Sequence, residues 1–120
     1  MEPRPVFLEV HHIRLPVMAV TSFLHRVAGL VLFLAIPPGL WFLQRSLSSE
    51  AGFLEVGDLW QGLPGRVLWG VVLWAFAHHF LAGVRFLLMD AGMGGSLKVA
   101  RGSAWAVNLA SPLIALGVFL

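Results

Sequence analysis

The sequence predicts an all-α integral membrane protein whose three transmembrane helices form part of a larger bundle. Two observations carry that prediction. Of the 120 residues, 58% are hydrophobic and only 12% charged, against about 25% charged in an average soluble domain. The apolar residues also fall in runs long enough to cross a hydrocarbon layer of about 30 Å. The net charge is +2, so the high isoelectric point reflects scarce acids rather than a basic face, and no footprint for nucleic acid exists. The chain has no cysteine, which rules out thiolate-held iron–sulfur clusters, covalently attached c-type haem and disulfides within it.

The first span is expected over residues 17–44, the second over 65–89 and the third over 104–120, all in a single domain covering 1–120. The first is long enough to cross with tilt. It contains Pro37 and Pro38, which remove two backbone donors and predict a bend in its second half. The third is short, and Asn108, Ser111 and Pro112 suit it to packing on neighbours rather than facing lipid. Arg4, Arg14 and Arg26 flank the first span on its N-terminal side, and Arg85, Lys98 and Arg101 flank the second connection. The first connection has only Arg45 and Arg66 beside Glu50, Glu55 and Asp58. That asymmetry puts the N-terminus in the cytoplasm. Trp41, Trp60 and Trp105 fall near the expected interfaces, as aromatic belts do. The first apolar run starts too far in for a secretory signal, and Glu2 and Glu9 argue against an acid-poor transit peptide. The N-terminus therefore reads as mature and the chain as prokaryotic.

His79 carries the most chemical information. It stands in the middle of the second span, roughly 16 Å of helix rise from Asp90. An ionisable group at that depth implies a function and a partner. Gly83 lies one turn on, on the same face. An imidazole near the midplane with a bare stretch of backbone beside it meets the needs of a bilayer-embedded haem, whose iron takes the imidazole while the glycine admits the flat macrocycle. A proton relay within a small transporter, or a plain interhelical hydrogen bond, would also account for such a histidine. His78 points about 100° away from His79 on a helix, so both cannot face one metal; an interhelical bond or a water pocket is expected for His78.

A second polar group opens the first span. Ser22, His25 and Arg26 share one helical face by their spacing, and Gly29 continues it. A hydroxyl, an imidazole and a guanidinium at a membrane edge suit a haem propionate, which arginine can clamp with paired hydrogen bonds. They equally suit a quinone headgroup, whose carbonyl oxygens accept hydrogen bonds and take protons on reduction. Arg85, about 9 Å along the helix from His79, is expected at the same membrane face, either pairing with a propionate or snorkelling to the interface. His11 and His12 are expected on the surface, and Asp90 is expected to cap or pair with Lys98 or Arg101.

At these residues the chain resembles the cytochrome b556 subunits of succinate dehydrogenase, the larger haem-binding membrane anchors of respiratory complex II. Two motifs carry the resemblance. One runs from Arg4-Pro5-Val6 to Ser22-Phe23-Leu24-His25-Arg26; the other is His79-Phe80-Leu81-Ala82-Gly83-Val84-Arg85, continuing through Phe86-Leu87-Leu88-Met89 to Asp90. The resemblance implies that His79 is an axial ligand of haem b, shared with a second anchor subunit that supplies the other histidine. It implies that Ser22 and Arg26 line a ubiquinone or menaquinone site, and that His25 and Arg26 contact haem propionates. It further implies an iron–sulfur subunit and a flavoprotein carrying FAD as partners, and a place in the bacterial cytoplasmic membrane. Two positions depart from the pattern. Ala28 stands where a Ser or Thr often follows the first motif, and Phe86 where many members have a second histidine. The absence of tyrosine is neutral, because the tyrosine that bonds quinone in many relatives belongs to the other anchor. A fumarate reductase anchor working in the opposite direction, a haem-free structural anchor and a small transporter component are the alternatives.

Overall fold

A computed structural model describes residues 1–4, 6 and 8–119 of the chain. Pro5 of the first motif and residue 120 at the end of the third expected span lie outside the described residues. After a 3-10 turn at Val10–His12, four α-helices follow, α1 Val17–Ser48, α2 Glu50–Gln61, α3 Leu63–Asp90 and α4 Leu97–Leu116, and a second 3-10 turn at Gly117–Phe119 comes after them. No strand is present among the described residues.

The all-α expectation holds, with one more helix than the three expected. The addition is α2, in the first connection. Its start is dictated locally: the Ser49 hydroxyl accepts a hydrogen bond from the Gly52 backbone N–H at 3.0 Å, and Glu50 sits in the first turn, where a negative charge favours the helix dipole. Arg45 at the end of α1 reaches Glu55 through Nε at 2.9 Å and Nη2 at 2.6 Å. With 12 residues, α2 rises only about 18 Å, too little to span.

Helices α1 and α3 have the length and apolarity to cross a membrane. The helical run of α1 continues through Pro37 and Pro38. The turn after α3 uses Gly92 at φ 81° and Gly94 at φ 72°, a region that L side chains rarely adopt. Helix α4 begins at Leu97 rather than residue 104, because the Ser96 hydroxyl caps it by accepting from the Val99 N–H at 3.4 Å. Its 20 residues rise about 30 Å. Asp90 lies exposed at the end of α3 and pairs with neither Lys98 nor Arg101 among the described residues.

The interior is made of small side chains. Ala28, Ala75, Ala82 and Ala104 are fully buried, and Ala77, Ala100 and Ala115 nearly so. Phe33, Leu34, Phe76 and Phe80 all stay more than half exposed. This inversion of a water-soluble core is what close backbone packing between helices in lipid produces. The large residues then face acyl chains or other subunits rather than water.

Candidate functional site

The two histidines that mark the motifs meet across the α1–α3 contact. His25 and His79 stack with ring centroids 4.1 Å apart and planes 6° from parallel. The backbone lets them do so. A Cβ on Gly29 of α1 would stand 2.9 Å from Cε1 of His79, and one on Gly83 of α3 would stand 3.6 Å from Nε2 of His25. Each imidazole therefore fills the gap left by the other helix's glycine. The expected use of Gly83, to admit a macrocycle, is thus partly taken by the His25 ring. Phe86 meets that ring edge-on, with centroids 5.3 Å apart.

One hydrogen bond sets the chemistry of His79. Its Nδ1 lies 3.0 Å from the His25 carbonyl oxygen. A carbonyl only accepts, so Nδ1 carries a proton, and in the neutral ring the lone pair is then on Nε2. This is the arrangement by which proteins orient a metal-ligating histidine: one ring nitrogen tied to the backbone, the other left to coordinate. His79 is only half-buried, so the ring is not sealed inside the chain.

Ser22 is half-buried and Arg26 exposed, and Arg26 stands about 100° of helix rotation from His25. Neither makes a side-chain hydrogen bond among the described residues, whereas the adjacent Thr21 shares its one hydroxyl proton between two acceptors.

Arg85 is not brought to this group. Its side chain turns to α4, where Nε donates to the Ser103 hydroxyl at 2.9 Å and Nη2 to the Ala100 carbonyl at 2.9 Å. It is 6% exposed. Six residues from His79 amount to a rotation of about 600°, which carries Arg85 to another face of α3.

His78 points, as expected, away from His79. It is fully buried, and its Nε2 donates to Asn108 Oδ1 at 3.1 Å. The Thr21 hydroxyl reaches the same oxygen at 3.1 Å and the Val17 carbonyl at 3.0 Å. Asn108 therefore joins α1, α3 and α4 at one point. Thr21 was not singled out from sequence; the available signal was a lone Asn in an apolar span, which has to find donors on neighbouring helices. Together with the Arg85 bonds, this junction fixes the rotation of α3 that delivers His79 to α1. A separate groove of about 560 Å³, lined by Leu34, Pro38, Phe42, Trp60 and Trp69 among others, is mostly apolar and holds none of these residues.

Fold and site together define a helical membrane subunit that presents a backbone-oriented histidine at mid-span. The family model for the succinate dehydrogenase/fumarate reductase transmembrane subunit matches residues 1–119, and the chain belongs to that family. It is similar to the succinate dehydrogenase cytochrome b556 subunit of Coxiella burnetii, 36% identical over 90% of this chain and 87% of the relative. The subunit of the same name from Paracoccus denitrificans is 30% identical over 93% and 86%, and that from Rickettsia felis 27% identical over 92% and 86%. The chain is therefore a membrane subunit of the succinate dehydrogenase/fumarate reductase family.

Proposed function

We propose that this chain is the haem b-holding anchor of a succinate:quinone oxidoreductase, with His79 as an axial ligand through Nε2. The observation that carries the reading is the hydrogen bond from His79 Nδ1 to the His25 carbonyl, which leaves Nε2 as a lone-pair donor. The donor set fits the group: an oriented neutral imidazole on a half-exposed face, with no thiolate in the chain to compete for iron. A partner anchor would supply the other histidine for the haem, as in the two-anchor assembly that the resemblance implies. When bound, the haem supplies a one-electron store beside the quinone site.

The chain's own residues act on quinone. Ser22 and Arg26 present hydroxyl and guanidinium donors to the headgroup oxygens and hold it at the membrane edge. Reduction to quinol takes two electrons and two protons. The electrons come from an iron–sulfur subunit, fed in turn by a flavoprotein that oxidises succinate. His25 beside Arg26 contacts a haem propionate or passes a proton. Arg85, engaged with α4, is assigned to holding that helix instead of a propionate. The N-terminus and the connection between α3 and α4 face the cytoplasm, as their basic residues favour.

A dithionite-reduced-minus-oxidised absorption spectrum of the purified complex tests the reading. A b-type α-band is expected. A flat spectrum would leave only a tethering or transport role.

A further inference from the structure

Outside the histidine pair, one cluster of metal-ligating side chains stands ahead of α1. Glu9, His11 and His12 place one carboxylate oxygen and two imidazole nitrogens within 4.8 Å of one another, and all three residues are exposed. The 3-10 turn gathers them: the His12 N–H donates to the Glu9 carbonyl at 3.0 Å, and His12 Nδ1 lies 2.9 Å from Glu9 Oε2. The His11 and His12 rings are 4.1 Å apart and tilted by 46°.

From this geometry we infer a binding site for a late first-row divalent ion, Zn²⁺ or Cu²⁺, made by Glu9, His11 and His12. Two imidazoles and one carboxylate favour those ions over Ca²⁺ or Mg²⁺, which take oxygen ligands. Around a tetrahedral ion with bonds of about 2.0–2.1 Å, neighbouring donors stand about 3.3 Å apart, so the three groups close on an ion by small side-chain rotations. As the ion binds Nδ1 of His12, the proton there moves to Nε2 of the same ring, and the Glu9 carboxylate turns its freed oxygen to the ion. Exposure keeps the remaining positions open to water. The alternative is a plain ion pair between Glu9 and His12, in which His11 plays no part.

That difference decides the test. The intact complex, purified on a tag without histidine, is titrated with Cu²⁺ and read by electron paramagnetic resonance, with Zn²⁺ as competitor. The wild type is expected to give a mononuclear copper signal split by two imidazole nitrogens and displaced by Zn²⁺. His11→Ala keeps the Glu9–His12 pair, yet should bind copper weaker by roughly tenfold or more and lose one nitrogen splitting. The double variant His11→Ala/His12→Ala should lose the signal. Affinity and splitting unchanged in His11→Ala would overturn the inference. The side chains are exposed, so these variants fold, and an unaltered subunit composition of the purified complex checks it.

Discussion

His25 and His79 are bound to each other twice: their rings stack at 4.1 Å, and the backbone carbonyl of His25 accepts the proton of His79 Nδ1 at 3.0 Å. Ring orientation and tautomer on α3 are thus set by one residue of α1. Both contacts need helix backbones that approach closely, and Gly29 and Gly83 permit it.

Gly29→Ala should disturb that relationship first. The new methyl would stand 2.9 Å from His79 Cε1, closer than carbon atoms tolerate, and the ring is already tethered. We expect reduced haem content or a shifted low-spin signal in the purified complex. Gly39→Ala on the same helix meets nothing within 4 Å and should leave both unchanged.

Arg26→Ala removes an exposed guanidinium that has no partner within the described chain. Quinone reduction should fall severalfold or more, while succinate oxidation with an artificial acceptor continues at its normal rate. If both rates hold, the headgroup assignment is wrong.

Asn108→Leu strips the junction of its acceptor. His78 would be left fully buried without a partner at either nitrogen, since Nδ1 already has none, and Thr21 would retain only the Val17 carbonyl. A loss of about 1–2 kcal/mol is expected from interhelical bonds of this kind in membranes, read as a lower thermal midpoint of the complex in detergent. Thr21→Val should cost less.

Arg85→Leu removes two bonds to α4 and should destabilise the complex. Quinone affinity should not change. An unchanged thermal midpoint combined with a shifted haem spectrum would instead return Arg85 to a propionate.

The sequence made the span-forming helices legible because apolar runs in a membrane protein are long and their interruptions few. It made the His79 and Ser22–Arg26 positions legible because ionisable groups are rare in such runs. The start of α4 was missed because Leu97–Ser103 mixes charge and glycine, and only the Ser96 cap signals a helix there. Helix α2 does not stand out beside the spans because its 12 residues are too few to cross and lie in a connection rich in acids, where only the Ser49 cap marks its start. The turn of Arg85 toward α4 follows from its rotation of about 240° from His79 around α3, which brings it to the Ser103 hydroxyl and the Ala100 carbonyl. The mutual fit of His25 with Gly83 and of His79 with Gly29 depends on how two helices cross, which the order of residues along one helix does not state.

The most direct measurement of the central claim is the low-spin haem spectrum of His79→Gly in the assembled complex, with and without added imidazole. The account predicts loss of the low-spin b-type signal in the variant and its return when free imidazole fills the space left by the side chain. A normal low-spin spectrum in His79→Gly without imidazole would contradict it.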